Sequence, residues 1–162
     1  MATLYLGLGS NIDPLRHLRL AVAELRRRFA CVRTSAVYRN APVGFEGEDF
    51  LNLVVKAETD LSPAEVIEQL EEVHKLAGRI RRDGFASREL DIDLLLYDRL
   101  VLARGAGIEL PRSDVLTCDF VLRPLSELAP DYVHPVTGRR LADHWFEFVP
   151  TERSLRREPI EL

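Results

Sequence analysis

The sequence predicts an α+β fold in which two helices cover one face of an antiparallel sheet, in the order strand, helix, strand, strand, helix, strand. Three observations predict it. Hydrophobic periods of two and of three to four alternate from Thr3 to Tyr97. Turn and cap residues mark each change of period. The chain has 162 residues, 46% hydrophobic and 30% charged, which suits a single globular domain, 1–162, able to bury about 70% of its unfolded surface.

Leu4, Leu6 and Leu8 alternate with Tyr5 and Gly7, giving a first strand over Thr3 to Gly9. Asp13 is placed to cap a helix and Pro14 to open it. Leu15, Leu18, Val22, Leu25 and Phe29 then recur at helical spacing, and Arg26, Arg27 and Arg28 read as a solvated, dipole-complementing end. Cys31 to Tyr38 reads as the second strand, Arg39 to Asp49 as a loop, and Phe50 to Ala57 as the third strand. Ser62-Pro63-Ala64-Glu65 has the form of a capping box. Behind it Val66, Ile67, Leu70, Val73 and Ala77 form a second apolar stripe that Gly78 is placed to end. Leu90 to Tyr97 is the fourth strand. This βαββαβ order is the ferredoxin-like sandwich. The C-terminal third reads as loops with two short helices, Asp119 to Leu128 and Leu141 to Phe148.

Composition narrows the function. Met1-Ala2-Thr3 runs straight into a strand pattern without a basic leader, and no apolar run approaches the ~18 residues of a membrane span. A cytoplasmic protein is expected. Cys31 and Cys118 lack metal-ligand spacing and read as reduced thiols. The net charge of −4 argues against nucleic acid as a partner. Lys75, Arg79, Arg81, Arg82 and Arg88 nevertheless crowd one segment around a single acid, Asp83, which suggests an anionic ligand.

Directly after that segment comes Leu90-Asp91-Ile92-Asp93-Leu94. On a strand, Asp91 and Asp93 share a face with Cα atoms about 6.6–6.8 Å apart, near enough for their carboxylates to hold one or two hard cations. Alone, such a pair is more often the acidic outer face of a half-exposed strand. Beside arginines that would neutralise phosphate oxygens, it suits phosphoryl-type transfer. No glycine-rich phosphate loop is present, so a P-loop or Rossmann nucleotide site is excluded. Asn52 stands in an apolar strand, where a buried amide needs partners. It is either a satisfied structural amide or a reader of a planar heterocycle, with Phe50 and Phe120 as stacking plates.

Together these stretches resemble 6-hydroxymethyl-7,8-dihydropterin pyrophosphokinase of folate biosynthesis. The resemblance is carried by Leu6-Gly7-Leu8-Gly9-Ser10-Asn11, Ser35-Ala36-Val37-Tyr38-Arg39, Ala41-Pro42-Val43-Gly44 and Asp49-Phe50-Leu51-Asn52. It continues through Gly78-Arg79-Ile80-Arg81, Arg88 to Asp93, Phe120 to Leu125 and Glu127-Leu128-Ala129-Pro130, covering about residues 2–138 in unbroken order. The resemblance implies transfer of an intact pyrophosphate from ATP to the pterin's hydroxymethyl oxygen, with release of AMP. It implies two Mg²⁺ ions on Asp91 and Asp93, with Arg79 and Arg88 handling the phosphates. Asn40, Pro42, Val43, Phe50, Asn52 and Phe120 would form the pterin pocket, and Arg81 the nucleotide side. The implied partners are small molecules only, with no nucleic acid or membrane, acting on a monomer.

Departures from the family pattern fall on the nucleotide side. His74 stands where a ribose-contacting glutamate is usual, Phe85 replaces a loop tryptophan in a shorter loop, Arg112 replaces a histidine, and Cys118 an arginine. The resemblance then implies ATP binding weaker by roughly one to three orders of magnitude unless Arg112 compensates. The alternative reading is a pterin-binding relative with altered or lost use of ATP.

Overall fold

A computed structural model of the chain describes residues 1–78, 88–103, 107–148 and 155–162. Among these, β1 (Ala2–Ser10), β2 (Ala30–Thr34), β3 (Val37–Asn40), β4 (Phe50–Thr59), β5 (Asp91–Tyr97) and β6 (Arg156–Glu158) form one sheet. Its order is β5-β1-β4-β3-β6, with β2 also on β4, and every pairing is antiparallel. This is the expected βαββαβ sheet with its second strand broken in two. Ser35 makes the break: its N–H donates to the Val54 carbonyl and its Oγ accepts the Val54 N–H, each at 2.8 Å. A side-chain oxygen there replaces a backbone rung, and the chain turns between Thr34 and Val37. β6, an edge strand on β3, has too few residues to show any period and was not expected.

Helices α1 (Pro14–Arg28) and α2 (Pro63–Leu76) pack on one face. Leu4, Leu6 and Leu8 of β1, with Ile92 and Leu94 of β5, meet Leu18, Val22 and Leu25 of α1 and Val66, Leu70 and Val73 of α2. Each such side chain contributes about 1.5–3 kcal/mol on burial. The second face is not open. It is covered by α3 (Asp114–Thr117), α4 (Asp119–Leu128) and α5 (Leu141–Glu147), whose Val115, Leu122, Leu125 and Leu141 pack on Tyr5, Val54, Leu95 and Leu96. A bulge makes this possible. Tyr5 pairs with Leu96 and Leu6 with Leu94, so Leu95 is an extra residue and both Leu95 and Leu96 reach the second core.

The helix ends follow their local chemistry, with two corrections. Ser62 Oγ accepts the Glu65 N–H and Glu65 Oε2 accepts the Ser62 N–H at 2.8 Å, so the capping box is formed. Replacing Ser62 by alanine is expected to lower stability by about 1 kcal/mol; an unchanged urea midpoint would show that water serves as well. Gly78 ends the helix with φ +69°, a conformation that costs glycine little. Asp13 does precede α1, but with φ 43° its side chain makes no cap bond. Nor is Arg28 a solvated end: it donates to Glu72 at 2.6 Å and Gln69 at 2.7 Å, tying α1 to α2. No helix among the described residues is long and apolar enough to cross a membrane.

Candidate active site

The site begins with what β1 lacks. Gly9 lies between Asp91 of β5 and Asn52 of β4, and Gly7 between Asp93 and Val54. With no side chains at 7 and 9, the middle of the sheet is bare on the face where Asp91, Asp93 and Asn52 project. α3 and α4 cover that face farther along, leaving a cavity of about 400 Å³. The two aspartates, Asn52, Asn40, Phe50, Phe120, Arg88 and Arg112 all line it. The cavity is closely fitted, since a Cβ on Gly9 would lie 2.7 Å from Asn52 Oδ1.

Asn52 and Asn40 are both buried, and Asn52 Nδ2 donates to Asn40 Oδ1. This bond orients the Asn52 amide and uses one of its donor hydrogens, leaving its carbonyl oxygen and second hydrogen for a ligand. Phe50 lies on the same wall, supported edge-on by Phe45 at a centroid distance of 6.3 Å. Phe120, from the start of α4, lines the cavity as a second aromatic ring.

The acidic end is electrostatically loaded. Burial, and then the neighbouring Asp91 carboxylate, push Asp93 up to about 7, although Arg112 opposes the shift. Arg112 donates from Nε to Asp114 at 3.1 Å, and its terminal nitrogen is 3.7 Å from Asp93 Oδ1. Its own N–H is fixed to the Leu95 carbonyl at 2.9 Å. Side by side and part-buried, Asp91 and Asp93 form a hard-oxygen pair that a divalent cation would neutralise. Among the described residues no third ligand closes the set. This suits Mg²⁺, which usually keeps waters and takes phosphate oxygens alongside one or two carboxylates.

Ser10 and Asn11 anchor the rim. Ser10 Oγ donates to the Glu89 carbonyl at 2.5 Å, and Asn11 Oδ1 accepts the Arg88 N–H at 2.7 Å. Asn11 Nδ2 also donates to the Glu48 carbonyl at 3.1 Å, so one amide ties together the segments on both sides of the cavity. A second cavity of about 300 Å³ lies between α2 and β5. It shares Asp91, Asp93 and Arg112 with the first and adds Ile67, Leu70 and His74. Two cavities therefore meet at the two carboxylates and one guanidinium.

The family model for 7,8-dihydro-6-hydroxymethylpterin-pyrophosphokinase (HPPK) matches residues 5–130. The chain belongs to the HPPK family. A 2-amino-4-hydroxy-6-hydroxymethyldihydropteridine pyrophosphokinase of Aquifex aeolicus is 37% identical over 145 residues, covering 88% of this chain and 90% of that protein. One of Haemophilus influenzae is 34% identical over 154 residues, covering 89% and 96%. A crystal structure of Plasmodium falciparum HPPK-DHPS aligns with a TM-score of 0.71 at 13% identity, over 91% of this chain and 43% of that one. At that identity the likeness concerns the HPPK fold alone, and the chain spans less than half of the Plasmodium protein.

Of the residues expected from the HPPK resemblance, Asn40, Val43, Phe50, Asn52, Phe120, Arg88, Asp91, Asp93 and Arg112 line the first cavity, as does Cys118. His74 lines the second. Pro42 lines neither. Arg79, Arg81 and Phe85 lie outside the described residues. Sequence reasoning did not assign Phe45, Asp114, Ser10 or Asn11. The last two belong to the Gly-Ser-Asn stretch, where a polar pair at the end of an apolar strand was itself a signal. Phe45 and Asp114 stand in segments without period, where spacing says nothing about direction.

Proposed function

We propose that the cavity on the second face of the sheet is the pterin site, that the cavity between α2 and β5 takes the nucleotide, and that pyrophosphate passes between them over Asp91 and Asp93. The chain transfers pyrophosphate from ATP to 6-hydroxymethyl-7,8-dihydropterin in folate biosynthesis, the reaction of its family. The observation that carries the site assignment is the meeting of both cavities at Asp91, Asp93 and Arg112. A substrate whose phosphates end where the other begins needs such a junction.

In this reading the Asn52 amide reads the donor and acceptor edge of the pterin, with Phe50 and Phe120 on its faces and the Asn40 to Val43 segment completing the pocket. The bound ring would place its hydroxymethyl oxygen toward the acidic end. That oxygen attacks the β-phosphorus of ATP, the bond to the α,β-bridging oxygen breaks, AMP leaves and the hydroxyl proton is lost. Holding both substrates in line supplies much of the acceleration. Arg88 and Arg112, with Arg79 and Arg81, supply charge to the phosphate oxygens as negative charge spreads. Asp91 and Asp93 would hold two Mg²⁺ ions, which when bound neutralise the triphosphate and polarise its phosphoryl oxygens. The reading takes residues 1–162 as one domain acting as a monomer. The free thiols Cys31 and Cys118 suit the reducing cytoplasm.

The test is AMP release from ATP, Mg²⁺ and 6-hydroxymethyl-7,8-dihydropterin; no turnover would reject the reading. Metal binding should also depend on pH. Asp93 holds its proton up to about pH 7 in the metal-free fold, so a cation must displace that proton below this value. Mn²⁺ affinity is expected to rise about tenfold per pH unit from about pH 5 to 7 and to flatten above it. A flat titration profile across that range would contradict the placement of the metal on Asp93.

A further inference from the structure

Among the described residues β5 is an edge of the sheet, so backbone N–H groups on its outer side have no described strand beside them to receive them. One of them belongs to Ile92, the residue between Asp91 and Asp93. It is not left open: the Ile92 N–H donates to His74 Nε2 at 2.9 Å in a buried bond. His74 sits in the last turn of α2 with its side chain 5% exposed, and its Nδ1 lies 3.3 Å from Glu71 Oε1. The pair of contacts sets the tautomer. Nδ1 carries the hydrogen and donates to Glu71, while the Nε2 lone pair accepts from Ile92.

The Ile92 side chain points into the core between α1, α2 and the sheet, while the two aspartates project from the opposite face. Its peptide is therefore held from two directions, by its own side chain and by the His74 ring. We infer that His74 is a positioning residue for the cation-binding aspartates: by holding the Ile92 peptide on the outer edge of β5 it fixes Asp91 and Asp93 at one spacing. The inference rests on the metal assignment given above. It also gives His74 a different task from the ribose contact expected at this position, because both ring nitrogens already face protein groups. On an edge strand, an acceptor that holds the peptide between two carboxylates bears directly on whether they stay in register. The neighbouring residues Asp91 and Asp93 pair with Gly9 and Gly7 of β1, which holds the strand's inner side.

The experiment uses the metal-free wild type and two variants. In the ¹⁵N-labelled wild type, a through-bond coupling is expected between the Ile92 amide nitrogen and His74 Nε2; its absence overturns the inference. His74→Leu should weaken Mn²⁺ binding about tenfold and speed Ile92 amide exchange by at least about tenfold, with dihydropterin affinity unchanged. His74→Gln, whose side-chain oxygen can accept the same N–H, should stay within about threefold of wild type in both. A leucine variant that only melts earlier, with Mn²⁺ binding intact, would show His74 to be a core residue and no more. Should leucine prevent folding, a glutamine variant as impaired as about tenfold in Mn²⁺ binding would equally overturn the role of the acceptor. Failure of wild-type AMP release, with the coupling and the Mn²⁺ dependence present, would reject the reaction and leave the positioning of the aspartates standing.

Discussion

Replacing Asp93 by asparagine is expected to lower AMP release by about three orders of magnitude and to stabilise the metal-free protein above about pH 7. The two effects share one cause. Burial and the Asp91 carboxylate raise Asp93 to about 7, whereas the same group in an unfolded chain titrates near 3.9. The folded chain thus holds a proton that the unfolded chain releases, and stability falls as pH rises from about 4 to 7, then levels. Above that range the ionised Asp93 opposes the fold by about 4 kcal/mol, about three pKa units at about 1.36 kcal/mol each, and asparagine removes that opposition at nearly constant shape. At about pH 3 the difference should vanish, because Asp93 is then protonated in the folded chain and largely so in the unfolded one. Activity is lost because the carboxylate that opposes folding is the one a cation requires. Asp91→Ala should lose activity to a similar extent. The comparison needs melting curves at both pH values without metal, together with the AMP assay. An asparagine variant less stable than wild type at high pH would refute the account of Asp93.

Gly9→Ala is expected to weaken dihydropterin binding about 10- to 100-fold and to lower the melting temperature by a few degrees, while leaving Mn²⁺ binding near wild type. The added Cβ would stand 2.7 Å from Asn52 Oδ1, so the amide must move. It has nowhere to go without cost, because its Nδ2 is bonded to Asn40 Oδ1 and both asparagines are buried. The methyl group thus spends its clash on the group that reads the ring, and not on the core. Gly7→Ala is the control: its Cβ would meet the Leu95 methyls at 3.4 Å, a contact that a small shift of a flexible side chain relieves. Equal dihydropterin affinity in wild type and Gly9→Ala, measured by titration, would remove Asn52 from the pterin site.

The sheet was legible because its strands bury one face at a time. Leu4, Leu6 and Leu8 alternate cleanly, and so do Leu90, Ile92 and Leu94, which turn Asp91 and Asp93 to the other side. α4 ends where its pattern ends, at Leu128. Less legible was Cys31 to Tyr38, where a continuous β-rich pattern conceals a break made by one serine hydroxyl on Val54. A hydroxyl that replaces a ladder bond leaves the hydrophobic pattern unchanged. The rim was similarly concealed. Asn11 looks like turn chemistry in the sequence, yet it joins Arg88 to Glu48 from 77 and 37 residues away.

By itself the sequence determined the strand and helix order, the capped start of α2, and the shared face of two aspartates next to an arginine-rich segment. All of these depend on residues near one another in the chain, where period and spacing translate directly into direction. Only the tertiary structure decided that α3, α4 and α5 cover the second face and turn it into a cavity. The extra residue at Leu95 allows that covering, and no local pattern distinguishes a bulge in a run of three leucines from a regular strand. The partners of His74 and Arg112 were decided in the same way. His74 reads as one more residue on a helix, and its bond to Ile92 exists because α2 lies beside an edge strand that has an N–H to give. Arg112 reads as a loop cation, and it reaches Asp93 because its own backbone is tied to Leu95. Long-range hydrogen bonds choose their partners only after packing has brought the elements together.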